Sequence, residues 1–552
     1  MNRLGLSNKS LLVFFFLALS IRSYWIITQK AVIQNEGGEY ARLAENILAG
    51  KGYLSSLEEQ PNLMYAPLYP ILVSFVTYFT RDSELAGRLV SVVSGAFLTL
   101  PVYFIGLRLY GRRTANICAG LVALHPLLIG FSTAVLTEAV YLTLMMVGVY
   151  LGLRCLELES PRICVLAGTF FGLAYLTRPE AFALIVLTTV LMITLGFAGH
   201  KGIRRIVRCS GLLIASFLVL AIPYLAFLRT HTCKFIFEAK SKLNYTIGTR
   251  FNTGMPYNQA AWGISEDLTE EGPLRESYRY AAFTPYPTGP LDIARYFLAT
   301  SKRNRQGVYE IIISSYAFGP ILLGLAFLGW FGEGWNKHRL IDEMFLLSVL
   351  VFILLVLLSA HLLQFRYFLP VLPLLIVWAA RGIEHLSGWA RTTASSLMVR
   401  VWPSENGITV AVQCLSGLMV LLLALRGIGY VSELTQGGQQ QYPLKEAGLW
   451  LKQRYPGSKT IMTANNVVIP YYAQGLMMAL PYSDSSLALK YIHKKNPNFV
   501  VLDGGTMNLR PYIREWLEEG IPDAAAHLIY CKGSSIEDKI AIFEFDRVSA
   551  SK

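Results

Sequence analysis

Residues 64–80, MYAPLYPILVSFVTYFT, decide how the whole chain is threaded. The run is apolar but seventeen residues long, with Pro67 and Pro70 near its start, and a ~30 Å hydrocarbon core asks for ~20 apolar residues. Counted as a crossing segment, it would turn every dense basic link downstream to the outside. Counted as a helix lying at the outer surface, it leaves them all inside. The tendency of Lys and Arg to stay on the cytoplasmic side selects the second threading.

Spans are then expected at 11–28, 85–107, 114–131, 139–153, 163–176, 182–197, 211–228, 311–330, 344–362, 367–380 and 408–425, about eleven in all. Their inner links carry Arg108, Arg112 and Arg113, then Arg154 and Arg162, then the cluster GHKGIRRIVR at 199–208, then Lys337 and Arg339, then Arg381, Arg391 and Arg400. Residues 163–176 and 367–380 are short for a full crossing. The first span follows Arg3 and Lys9 in the manner of a signal sequence, but no small-residue cleavage site stands out, so it reads as retained.

Composition agrees with this threading. Of 552 residues, 53% are hydrophobic and 15% charged, which describes a polytopic membrane protein rather than an average soluble chain. The formal charge of +13 lies mostly in the short inner links, so the lipid bilayer is the expected partner and nucleic acid is not. Seven cysteines show no CxxC and no His at ligand spacing, which indicates no metal centre and no disulfide framework. Cys233 and Cys531 are the two that can meet outside the membrane.

Residues 1–430 thus form a membrane domain, with outer juxtamembrane helices at 35–80 and a long outer loop at 229–310. After about residue 436 the charges come near balance, and short runs such as KTIMTA, FVVLD and KIAIFEF alternate with helical patterns at 444–454 and 484–494. That pattern predicts a small extracytoplasmic α/β domain over 436–552. The overall class is mainly α.

Within the outer segments, NEGGEYARLAENILAGKGY at 35–53 carries the best chemical clue. Tyr40, Leu43, Ala44, Ile47 and Leu48 recur at helical spacing, which predicts an amphipathic helix along the membrane surface. Gly37 and Gly38 free the backbone before it, and Glu36 stands on the approach to its N-terminus. Three further polar sites fall on the outer side at the ends of apolar runs: Glu138 in STAVLTEAVY, Arg178 and Glu180 in YLTRPE, and Arg366 in LLQFRYFLPVLP. A charge left at a helix centre costs roughly 2.5–3.5 kcal/mol, so such groups pair or line a watery cavity. Each has a plainer alternative, a helix cap for Glu138 and snorkelling for the two arginines. His125 and His361 read as structural, and the tyrosines near span ends as an interfacial belt.

The ordered set EGGEYARLAENILAGKGY, APLYP, GRLVSVVSG, YFIGLRLYGRRTA, STAVLTEAVY, YLTRPE and FRYFLPVLP resembles the GT-C integral-membrane glycosyltransferases, in the branch of the protein O-mannosyltransferases and lipid A aminoarabinose transferases. The likeness covers nearly the whole chain and implies transfer of a sugar from a polyprenyl-phosphate carrier to a lipid, glycan or protein acceptor, outside the inner (plasma) membrane of a bacterium. It makes Glu36 and Glu138 the catalytic acids, with Arg178 and Arg366 on the carrier phosphate and Lys234 and Lys240 as lesser cations. Glu39, Tyr40, Tyr65, Glu180 and Tyr367 complete the substrate-binding set. The family usually has Asp where Glu36 stands, so the longer arm changes its reach. No cofactor is expected, with a divalent ion left open. The rival reading is a secondary transporter or flippase-like envelope protein using the same charges, which would call for repeated halves and broken helices.

Overall fold

The computed structural model describes residues 8–28, 32–34, 36–56, 60–157, 160–268, 289–313, 319–398, 417–418, 441–464 and 467–546. Its helices in chain order are α1 (Asn8–Thr28), α2 (Glu36–Leu48), α3 (Leu68–Thr80), α4 (Ser83–Phe97), α5 (Thr99–Tyr110), α6 (Arg112–Leu124), α7 (Pro126–Ser132), α8 (Glu138–Cys155), α9 (Pro161–Tyr175), α10 (Phe182–Ala198) and α11 (Ile203–Thr232). The segment expected as a polar loop supplies three more, α12 (Lys240–Asn252), α13 (Tyr257–Trp262) and α14 (Pro290–Ile313), before α15 (Gly319–Phe331), α16 (Lys337–Ser359) and α17 (Val371–Met398).

The chain is a multi-pass helical membrane protein, and the expected count of about eleven spans is not confirmed. Among the described residues six helices are long and apolar enough to cross, or seven if α6 and α7, bent by 52°, form one span. α9 and α15, at fifteen and thirteen residues, give roughly 20 Å of helix at 1.5 Å per residue, short of the ~30 Å core. The expected 311–330 span is divided between the end of α14 and α15, and 408–425 lies almost wholly outside the described residues. α3 is likewise thirteen residues long. It buries Tyr69, Val73 and Thr77 and exposes Ile71, Phe75 and Phe79.

The bend between α6 and α7 has a covalent cause. Pro126 has no N–H to offer the carbonyl of Val122 four residues earlier. Arg22 of α1, fully buried, donates instead to Val122 O at 3.1 Å, to Ala123 O at 3.2 Å and to Ser132 Oγ at 2.9 Å. Residues 133–137 after α7 then lead straight into Glu138.

Charged groups gather at two opposite ends of the long helices. Near the start of α16, Arg108 takes Asp342 in a two-pronged pair at 2.7 and 3.0 Å and Glu157 at 2.8 Å, while Arg339 holds Glu343 at 2.7 Å. Past the other end of α16, 23 residues on and so roughly 35 Å away, comes the loop with Arg366. α8 runs the opposite way, with Glu138 at its first turn and Glu157 beyond its last.

The C-terminal part adds α18 (Tyr442–Arg454), α19 (Val468–Tyr472), α20 (Ser485–Lys495) and α21 (Ile513–Glu519) around a five-stranded sheet of order β2-β1-β3-β5-β4. Strands β1 (Thr460–Thr463), β2 (Leu476–Ala479) and β3 (Phe499–Asp503) run parallel, and β4 (Ala526–Lys532) and β5 (Ile540–Phe545) antiparallel. The predicted α/β character is present there. Cys233 and Cys531 are both free and exposed.

α2 does not lie along an open surface. Ala41, Leu43 and Ala44 are fully buried, and Tyr40 nearly so, because α3 and α4 cover one side and α19 the other. A Cβ on Gly37 would stand 2.8 Å from Val135 O, and one on Gly38 2.9 Å from Val467 Cγ1. The glycine pair is therefore there for close packing between the membrane part and the sheet. Arg42 donates to Tyr471 O at 3.2 Å, and Tyr472 Oη donates to Glu84 at 2.7 Å, sewing the same seam.

Candidate active site

Glu36 is the first residue of α2, not a loop residue before it, and its carboxylate is gripped from two sides. Arg366, in a 3-10 turn after α16, donates to Oε2 at 2.7 Å, and Lys240, at the start of α12, lies 3.5 Å from Oε1. Burial would raise the Glu36 pKa, but Lys240 and Arg366, with Arg178 further off, outweigh it and hold the carboxyl down to about 2. Glu138 is 3.5 Å from Arg178 and 3.8 Å from Arg366 through its Oε1. Its Oε2 is buried without a hydrogen-bond partner among the described residues. Arg178 reaches Glu180 at 3.6 Å and sits over the rings of Tyr141 and Tyr367. Burial disfavours the charged form of all three cations, yet the neighbouring acids hold Arg178, Arg366 and Lys240 more firmly protonated than usual.

These side chains line one cavity of about 510 Å³. Of the residues expected at the site, Glu36, Tyr40, Tyr65, Glu138, Arg178, Glu180, Arg366 and Tyr367 all face it, as does Lys240. Glu39 and Lys234 do not. Glu39 turns instead to the segment after α2, where it accepts from the backbone N–H of Ser56 at 3.2 Å, from Asn62 Nδ2 at 3.0 Å and from the Ser55 and Ser56 hydroxyls. One helical turn separates a site acid from a structural one. Lys234 is exposed just past the end of α11, and of the two cations expected from that loop Lys240 is the one that lines the cavity.

Glu238, Tyr141, Tyr224 and Tyr296 also line the cavity and were not singled out in the sequence, and His361, read there as structural, lines it too. Burial, with Glu180 nearby, pushes Glu238 up to about 7, while burial and then Lys240 and Arg303 push His361 down to about 4. Nothing local distinguishes the tyrosines from belt residues. Among the described residues no group of three or more His, Cys, Asp or Glu side chains is placed to hold a metal ion.

Helices that converge on a pocket of paired acids and cations, with a small sheet docked on the helix carrying Glu36, match a known architecture. The chain aligns over 97% of its length, and 98% of the other's, with ArnT from Cupriavidus metallidurans bound to undecaprenyl phosphate, at a TM-score of 0.59 and 13% identity. The fold is GT-C. The oligosaccharyltransferase AglB of Archaeoglobus fulgidus, in complex with an inhibitory peptide and a dolichol-phosphate, aligns over 99% of this chain and 75% of its own, with a TM-score of 0.54 and 13% identity. Residues 63–227 match the family model described as dolichyl-phosphate-mannose-protein mannosyltransferase. Comparison with curated proteins gives no significant match. The matched segment of this GT-C chain includes Tyr65, Glu138, Arg178 and Glu180 and stops short of Lys240 and Arg366.

Proposed function

We propose that the protein is a membrane glycosyltransferase that moves a sugar from a polyprenyl-phosphate carrier to a lipid, glycan or protein acceptor by a single inverting displacement. The observation that carries this reading is the Arg366–Glu36–Lys240 cluster, joined through Arg178 and Glu138, in one cavity of a GT-C fold. The cavity sets the cations Arg178, Lys240 and Arg366 against the acids Glu36, Glu138, Glu180 and Glu238, so an arriving phosphate competes with the carboxylates for Arg366 and Lys240. An arginine can offer phosphate two parallel hydrogen bonds, and cations at the departing oxygen stabilise the charge that develops there.

That competition also answers how a carboxyl held at about 2 can serve as a base, since a general base works best with a pKa nearer the working pH. A phosphate that takes Arg366 and Lys240 removes the groups that depress Glu36 and adds a negative charge beside it. The carboxylate then gains proton affinity when the donor is present, and takes the acceptor hydroxyl's proton as C1 is attacked. The bare Oε2 of Glu138 is a ready acceptor for a substrate hydroxyl.

We place the cavity and the C-terminal part, residues 436–552, outside a bacterial plasma membrane, with 1–430 as the membrane domain. Arg108, Arg112, Arg113, Lys337, Arg339 and Arg381 at the far ends of the helices support this orientation. The bacterial source of the ArnT neighbour supports the compartment. The test is transfer from labelled polyprenyl-phosphate sugars by purified protein and by Glu36→Gln. We expect consumption of one donor by the wild type and none by the variant, with both equally folded. Retained transfer by Glu36→Gln removes the base from the mechanism, and no transfer by the wild type across donors removes the reading.

A further inference from the structure

The two cations on Glu36 come from elements far apart in sequence: Lys240 opens α12, and Arg366 follows α16. Among the described residues no main-chain hydrogen bond joins the two elements. Between them lies α14, whose residues Thr300, Arg303 and Asn304 share one face at helical spacing. Thr300 is fully buried and Asn304 5% exposed.

Apart from the Arg303 Nε donation to Asn304 Oδ1 at 3.2 Å, the hydrogen bonds of this face reach the two elements. The last carbonyls of a helix lack intrahelical donors, and after α16 those of Leu358 and Ala360 accept from Asn304 Nδ2 at 3.2 and 2.7 Å. Arg303 Nη2 donates to Ala360 O at 3.3 Å and to His361 O at 2.9 Å, five residues before Arg366. On its other side Arg303 Nη1 donates to Asn252 Oδ1 at 2.6 Å, and Asn252 Nδ2 donates to Thr300 Oγ1 at 2.9 Å. Asn252 is the last residue of α12, whose first is Lys240. The guanidinium lies 4.3 Å from the centre of the Phe251 ring. The hydrogen-bond partners described for Arg303 are thus side-chain amides and carbonyls. A guanidinium is suited to that task because its donors point in fixed, divergent directions.

We propose that Arg303 is a positioning residue, which fixes the segment leading to Arg366 and the helix bearing Lys240 at the spacing where both cations meet Glu36. This rests on the reading that those cations hold the donor phosphate. The groups facing Glu36 are Lys240 from α12, Arg366 and Arg178 from loops, Tyr40 from α2 itself and Glu138 from α8. Arg303 acts on the first two and leaves the rest in place.

The test uses the full chain with Arg303→Gln, Arg303→Lys and Asn252→Ala. One readout is the KM for donor against that for acceptor. The other is the infrared titration of the ¹³C-labelled Glu36 carboxyl, with Glu36→Gln as blank, which needs no turnover. Arg303→Gln is expected to raise the donor KM about tenfold with little change in acceptor KM, since a small misplacement of a binding group carries a cost of that order or more. The Glu36 carboxyl should move up from about 2 toward the ordinary carboxylate range. Asn252→Ala, which cuts only the α12 side, should move it less, and Arg303→Lys should fall between wild type and Arg303→Gln. An Arg303→Gln protein with unchanged Glu36 titration and donor KM overturns the proposal. Should that variant not fold, an unchanged titration in Asn252→Ala overturns it instead. If the wild type consumes no polyprenyl-linked sugar, the functional reading fails while the titration still decides the role of Arg303.

Discussion

Replacing Arg366 by Gln should transform the titration of Glu36, and the size of the effect follows from the geometry. The carboxyl is held at about 2 against an ordinary value of 4.5. At about 1.4 kcal/mol per tenfold step, this is a net preference of roughly 3 kcal/mol for the ionised form in the folded protein. Burial works in the other direction, so the cations supply more than the net. The glutamine leaves only Lys240 at 3.5 Å and the more distant Arg178 against burial, and the carboxyl should rise into or above the ordinary range. A depressed carboxyl contributes stability that is whole above 4.5 and lost as pH falls through about 2, because the unfolded chain takes up the proton first. Arg366→Gln should therefore be less stable than wild type at pH 7, by up to roughly 3 kcal/mol, with the difference narrowing below 4.5 and closing near 2. The assay is the infrared band of the labelled Glu36 carboxyl, followed by unfolding midpoints at pH 7 and pH 3. A band in Arg366→Gln that still titrates at about 2 would refute the reasoning, as would an equal loss of stability at both pH values.

Three other outcomes follow from the structure. Gly38→Ala should cost about 1–3 kcal/mol by overpacking against Val467, and Val467→Ala in the same chain should restore the unfolding midpoint. Arg22→Met leaves the Val122 and Ala123 carbonyls buried without a donor, so it should lower stability by at least about 2 kcal/mol; an unchanged midpoint would mean that the α6–α7 bend needs no such support. Glu238, pushed up to about 7, contributes stability that is whole below 4.5 and lost as pH rises through 7, so Glu238→Gln should flatten the fall in midpoint across that interval.

The parts of this molecule that are legible in its sequence are those fixed by one solvent boundary. Apolar runs are expected in lipid and Lys or Arg at cytoplasmic ends, so most of the helices and the gathering of Glu36, Glu138, Arg178 and Arg366 could be expected from the pattern alone. Length alone does not say whether α9 and α15 cross, since at fifteen and thirteen residues they are short for a full span. The burial of α2 could not be expected: Tyr40, Leu43 and Ala44 advertise an apolar face, but the sheet docked on the Gly38 side comes from residues more than 400 positions away. The same limit separates Glu36 from Glu39, which are three residues apart in one acidic turn. Their surroundings differ because Glu36, at the first position of α2, meets Arg366 and Lys240, whereas Glu39, one turn on, meets Ser55, Ser56 and Asn62. A charge in an amphipathic helix announces that it needs a partner, and only the tertiary fold says whether that partner is a loop to be held or a phosphate to be exchanged. Glu36 meets Arg366 and Lys240 on the wall of a cavity, where Arg366 also lies 3.8 Å from Glu138, whereas Glu39 is held away from that cavity by two hydroxyls, an amide and a backbone N–H.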